Sequence, residues 1–350
     1  MNTPLLERPA SERVLAEPDL ALPYLARNLT RDQIRAYGAI GNLNDGVEFT
    51  THSIRTRAIA WPGNGTQTQS VHVLTHAPGD ESEFRQYAVS EEAMLCLKGK
   101  GEVYLRDRWV TVEAGDIAYF PEGTVHATRS ARENSADFVL VTQITPPPLD
   151  LYEAEGLYVR RACSFNFTAI DKARRNARLG SISPESELHL NESHPEVRSW
   201  NLERDDIRRN GALFNMFKGA SFPGLDVPMV LMIWPGFGTR TAKYHSGFIP
   251  PGRLSLIHTH PVSDECLIQW AGGPGRFYVG DAWVDVGPLD CVIAPSGVYH
   301  GAGGGRHAAD EPTLVGGFAS PPQLDLYLLA SYYRDGEFAR LPHSVLSNGR

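Results

Sequence analysis

The chain has 350 residues, of which 42% are hydrophobic and 21% charged, which gives room for two or three domains with cores of their own. A net charge of -8 argues against a nucleic-acid backbone or an anionic membrane as the main partner. No run approaches the roughly 18 apolar residues of a membrane-spanning helix. Glu7, Arg8, Glu12 and Arg13 stand where a secretory leader needs an apolar core, so a cytoplasmic protein is expected.

Residues 1–50 form an arm of mixed character. Thr30-Arg-Asp-Gln-Ile-Arg-Ala-Tyr predicts a short helix capped by Thr30, packing on the next domain or on a second subunit. Short apolar or alternating runs follow over 51–150: Ser70–His76, Ala93–Leu97, Gly101–Leu105, Arg108–Val112, Asp116–Phe120 and Phe138–Ile144. Gly or Pro separates most of them, the pattern of an antiparallel sandwich or barrel. Residues 151–225 read as a connector, with a polar helix predicted over Ala169–Leu179 and loop over Ser181–Ser199. Strands resume in 226–330, and 331–350 reads as a tail. Cys96, Cys163, Cys266 and Cys291 form no CxxC pair, and a chain of this size needs no disulfides, so reduced thiols are expected.

The two strand-rich stretches repeat each other at an offset of 173 to 175 residues. Ala77-Pro-Gly79 answers Pro250-Pro-Gly252, and Glu92…Gly99 answers Glu265…Gly272. Pro121-Glu-Gly123-Thr-Val-His126 answers Pro295-Ser-Gly297-Val-Tyr-His300. The exits match too, Thr145-Pro-Pro-Pro-Leu-Asp-Leu-Tyr152 with Ser320-Pro-Pro-Gln-Leu-Asp-Leu-Tyr327. Two units this long indicate a duplicated domain rather than a solenoid.

The second copy concentrates possible ligands. His258 and His260 alternate along a strand and share a face, Glu265 returns after the turn at Pro261, and His300 enters from the turn at Pro295 and Gly297. Three imidazoles, one carboxylate and no thiolate suit Fe(II), Mn(II), Ni(II), Co(II) or Zn(II). Cys266 neighbours Glu265 and points to the other face. Leu267 and Gln269 share the face of Glu265, which makes Gln269 a candidate to orient a substrate or O2. His245, on the preceding strand, is a candidate acid or base. Gly301–Gly305 reads as a flexible lip, and His307 beyond it as exposed.

These landmarks resemble the cupin superfamily. Its first motif, G-x5-H-x-H-x4-E-x6-G, is met from Gly252 to Gly272. Its second, G-x5-P-x-G-x2-H-x3-N, is met at Pro295, Gly297 and His300 but departs at Leu289 and Gly304. The first half keeps Gly79, Glu92, Gly99, Gly115, Pro121, Gly123 and His126, with Arg85 and Tyr87 where the two motif histidines would stand. The resemblance implies an all-β bicupin: two jelly-roll barrels from an internal duplication, joined by a partly helical connector. Its intact metal site would lie in the second barrel and hold one divalent ion, Fe(II) first and Mn(II) next. In the degenerate first site Arg85 is expected to pair with Glu92. Bicupins of this length include dioxygenases that cleave gentisate- or hydroquinone-like rings, which would make the partners a small molecule and O2. Trp234, Trp270, Phe277 and Tyr278 are the aromatic residues expected near such a pocket. A manganese hydrolase similar to ureidoglycine aminohydrolase is the alternative, and a non-catalytic binding bicupin a third. A homo-oligomer is expected, with a hetero-oligomer open.

Overall fold

Two equivalent sets of strands build the molecule, seen in a computed structural model that describes residues 13–15, 24–175, 180–184 and 188–346. In the first set, Ile54–Ala60, Ser70–His76, Phe138–Thr145, Glu91–Lys98 and Asp116–Phe120 lie side by side in that order. Thr128–Arg129, Lys100–Leu105 and Arg108–Glu113 form a second sheet. In the second set the corresponding strands are Met229–Ile233, Lys243–Ile249, Thr313–Ser320, Asp264–Gly272 and Asp290–Ala294. Gly301–Gly304, Gly275–Val279 and Ala282–Val286 form its second sheet, to which Arg13–Leu15 adds in parallel beside Ala282–Val286. The order is the same in both sets, and a short helix follows each, Leu149–Ala154 and Leu324–Leu329.

Alternation decides what each sheet buries. Leu74, Met94 and Leu140 of the first sheet pack with Val103, Leu105 and Val110 of the second inside the N-terminal barrel. The opposite faces of the large sheets are buried as well, against the other half of the molecule. That explains why Glu91–Lys98 and Phe138–Thr145 are apolar on both faces and nearly wholly buried. Each half is thus a jelly roll of paired antiparallel sheets.

The two barrels exchange their arms. Thr30 caps the helix Arg31–Tyr37 through a reciprocal box with Gln33, as expected. After Gly38 the strand Ala39–Asn42 pairs with Asp290–Ala294 of the far barrel, and Val47–Thr51 then returns to pair with Ile54–Ala60 of the near one. The connector repeats this move. Helix Arg204–Asn210 and Gly211 lead into Ala212–Asn215, which pairs with Asp116–Phe120 of the N-terminal barrel. Lys218–Phe222 then pairs with Met229–Ile233. Gly38 and Gly211 both have φ 74°, and a Cβ on them would lie 3.0 Å from the Ile293 carbonyl oxygen and 2.3 Å from that of Tyr119. Both positions need glycine, for conformation and for space. Among the described residues, one 15-stranded sheet therefore runs through both halves.

Three expectations change. The stretch 151–225 holds a second copy of the arm as well as a linker. In its linker part a helix covers Phe167–Arg175, and the predicted continuation over 176–179 lies outside the described residues. The described part of the tail, 331–346, is held to the barrel, since His343–Val345 pairs with Lys218–Ala220. Gly301–Gly304 is a buried strand paired with Gly275–Tyr278 rather than a lip, because small residues are what fits against the carbonyls of Ile249, Pro250 and Arg253.

Candidate metal centre

The ligand quartet is assembled by backbone pairing between its two motif halves. His258 and His300 form an isolated bridge in which each N–H donates to the other's carbonyl, at 3.0 and 2.9 Å. Gly297 N–H donates to His260 C=O at 2.8 Å, and the positive φ of Gly297 makes the turn that aims His300 inward. Glu265 opens the strand Asp264–Gly272. The result is that donor atoms of His258, His260, Glu265 and His300 all lie within 4.8 Å of one another, with all four side chains buried.

Hydrogen bonding sets which nitrogen each imidazole presents. His258 Nδ1 donates to Leu256 C=O and His300 Nδ1 to Val298 C=O, both at 2.9 Å, while His260 Nδ1 lies 3.3 Å from Asp325 Oδ2. In its neutral, cation-binding form each imidazole has its one N–H on Nδ1 and a lone pair on Nε2. Burial favours that form of His260, and Asp325 and Glu265 outweigh burial and raise it until a cation takes the place of its second proton. The Nε2 atoms of His260 and His300 then face Glu265 Oε2 at 3.0 and 3.1 Å, acceptor to acceptor. A cation among them satisfies every partner. The quartet fits a first-row divalent ion, with N and O donors and no sulfur. Burial alone would raise the Glu265 carboxyl. Lys243 opposes it first of all, and the carboxyl is held well below the ordinary range. Burial and the two neighbouring imidazoles keep His258 neutral.

The N-terminal barrel holds the same frame with a cation built in. Arg85 Nη2 is 3.4 Å from both oxygens of Glu92, and His126 Nε2 is 2.7 Å from Glu92 Oε2. Thr142 Oγ1 donates to Glu92 Oε1 at 2.7 Å. The expected Arg85–Glu92 pair is present and fully buried. The guanidinium stands on the carboxylate that a metal would need.

Comparison with known proteins agrees with the fold. No curated protein matches the sequence. The family model of the cupin domain matches residues 72–142. Ylba from E. coli superposes with a TM-score of 0.53 at 11% identity, over 81% of this chain and 91% of that one. A Pseudomonas aeruginosa protein proposed to be glyoxylate-induced superposes with a TM-score of 0.53 at 12% identity, over 91% and 94%. By fold the chain is a bicupin.

In this bicupin the quartet lies at one end of a cavity in the C-terminal barrel, lined by His258, Glu265, Lys243, His245, Gln323 and Tyr327 at its polar end. Lys243 Nζ donates to His245 Nδ1 at 2.5 Å and to Glu265 Oε1 at 3.3 Å. Burial pulls Lys243 below the ordinary ammonium range, and Glu265 opposes that. His245 is driven down to about 3 by burial and by Lys243, so it is neutral. Gln323 Nε2 donates to Glu265 Oε2 at 2.7 Å. A side chain at Gly317 would meet His245 and Glu265, at 2.9 and 3.1 Å from its Cβ. Thr142 holds the equivalent place in the other barrel.

Gln269 and the four predicted aromatic residues sit elsewhere. Gln269 does face the same side as Glu265, but four residues along a strand is roughly 13 Å. There it donates to Gly273 C=O at 2.7 Å and takes no part in the cavity wall. Trp234, Trp270, Phe277 and Tyr278 are core residues, since none lines the cavity. Its aromatic members are Phe222 and Tyr327. Lys243, Gln323, Asp325 and Tyr327 are absent from the cupin motifs. Lys243 and Gln323 show only as positions where the halves differ, Lys243 answering Ser70 and Gln323 answering Pro148, while Asp325 and Tyr327 belong to the matching exits.

Each barrel also grips the other beside its site. Glu91, next to Glu92, accepts from the N–H groups of Arg240, Thr241 and Ala242 at 2.9, 2.7 and 2.7 Å. Asp264, next to Glu265, accepts from those of Gln67, Thr68 and Ser296 at 2.5, 2.6 and 3.0 Å. Glu91 thus fixes the backbone that leads into Lys243.

Proposed function

We propose that the C-terminal barrel is a metal-dependent enzyme site that oxidises a small phenol-like molecule with O2, with Fe(II) as the ion and Mn(II) next. One observation carries this reading: a buried three-histidine, one-carboxylate quartet opens onto a cavity whose remaining wall is apolar, with Leu231, Ile249, Leu267 and Val315 among its members. His258, His260, Glu265 and His300 would hold the ion and leave it open toward the cavity for substrate and O2. Bound there, the ion would hold the two reactants side by side and pass electrons between them. The apolar wall would take the body of the substrate and keep out water. His245 accepts from Lys243 at Nδ1, so its remaining N–H is on Nε2, where it can donate a hydrogen bond to the substrate.

The Lys243–His245 pair also suits a non-redox reaction in which a proton is moved at an amine-bearing centre, the manganese hydrolase reading. One experiment separates the two: anaerobic loading with Fe(II), then oxygen uptake with a panel of dihydroxylated aromatics, with ammonia release from ureidoglycine under Mn(II) as the second arm. Uptake with at least one phenol is expected. Ammonia release without any uptake would replace the oxidative reading, and neither activity in a protein that holds metal would favour a binding role.

A further inference from the structure

The polar end of the C-terminal cavity holds more than a metal needs. Among the described residues lining it, Lys243 is the only Lys or Arg and Glu265 the only carboxylate, so the wall is neutral before a metal binds. A divalent ion leaves it doubly positive, or singly positive when Asp325 behind His260 is counted. Two buried polar atoms there also lack partners, Tyr327 Oη and Gln323 Oε1, and both residues are fully buried. Lys243 Nζ has three N–H donors and uses two, on His245 and Glu265.

The other barrel shows how this arises. There the equivalent Tyr152 hydroxyl donates to Ser70 Oγ at 2.7 Å and meets His72 Nε2 at 2.7 Å, which closes the network. Lys243 replaces Ser70 and draws His245 to itself, so the Tyr327 hydroxyl loses both partners. A positive charge and a spare hydroxyl are left on the same stretch of cavity wall.

We infer that Lys243 and Tyr327 form an anion subsite, so that the substrate is a small carboxylate with an apolar body. The carboxylate accepts from Lys243 Nζ and Tyr327 Oη while another donor atom of the substrate reaches the metal. This rests on the metal-site reading above and adds the substrate's charge. Lys243 is a specificity-determining residue in this scheme and not a metal ligand.

The test is binding, read by calorimetry on metal-loaded protein with benzoate and its neutral isostere benzamide, beside metal content by elemental analysis. Wild-type protein is expected to prefer benzoate. Lys243→Met and Tyr327→Phe should each weaken benzoate by about tenfold to a hundredfold, the worth of a hydrogen bond to a charged group. Both should leave benzamide affinity and metal content unchanged, and Lys243→Arg should restore part of the preference. Equal affinity of wild-type protein for both probes, or no binding of either, overturns the inference without use of any variant. Loss of metal in Lys243→Met overturns it too, since Lys243 would then be serving Glu265. Wild-type protein that takes up no metal would sink the metal reading instead, and the benzoate preference of that same protein would still decide the subsite.

Discussion

His126 and His300 occupy the same place in the two barrels and meet opposite company, a guanidinium in one and two further imidazoles in the other. His258→Ala or Glu265→Ala should therefore abolish metal retention, measured by elemental analysis after dialysis, while His126→Ala keeps it; equal loss in all three would refute a single live site. Arg85 carries stability instead. Arg85→Met leaves the Glu92 carboxylate buried without its cation, which should cost about 3 to 5 kcal/mol in urea unfolding, and adding Glu92→Gln should recover much of it. The histidines of the N-terminal barrel set an acid limit. Burial holds His72 down to about 4, and burial with Arg85 holds His76 down to about 3. Both bind protons more readily when unfolded, so their contribution is complete above about 6.5 and is lost as the pH falls toward 4, by about 1.4 kcal/mol per pH unit for each. Unfolding midpoints that stay level between pH 7 and 5 would contradict this. The quartet is legible in the sequence because its spacing is local and periodic. Lys243, Gln323 and Tyr327 are not, because they come to the cavity from elements other than the strand of Glu265. Gln269 fails for the converse reason: alternation fixes the face of a strand but not the distance along it.

Short elements place the site as much as its ligands do. Glu91 caps three consecutive amides ahead of Lys243 from the opposite barrel. Glu91→Gln keeps the shape, removes the charge and exchanges an acceptor for a donor. It should cost about 1 to 3 kcal/mol and raise hydrogen exchange at 240–242 more than elsewhere. Protection that falls evenly over the chain would show that the grip is not local. The barrel strands are legible from apolar runs cut by Gly and Pro. The arms also carry their own repeat, Asn28-Leu29, Arg31-Asp32, Ile34 and Gly38 answering Asn201-Leu202, Arg204-Asp205, Ile207 and Gly211. That signal is faint because these helices are short and polar, each burying one large apolar residue, Ile34 or Ile207. Nothing in such a pattern says which barrel an arm will join.

At the scale of the molecule the two halves stand or fall together. Removal of residues 1–42 would strip Ala39–Asn42 from Asp290–Ala294 and bare the edge of the metal-site barrel, although every ligand would remain. Loss of metal and self-association in sedimentation are the expected results, and a monomer with full metal content would refute the coupling. The arm exchange has a further consequence. A lone half has nowhere to put its arm except on another copy, so its assembly would depend on concentration. With both halves in one chain the partner is always present, at an effective concentration that a short link can bring to the millimolar range. Occupancy of the assembled state is then independent of how much protein there is. The chemistry need be kept in only one half, leaving the other free to exchange its ion for an arginine.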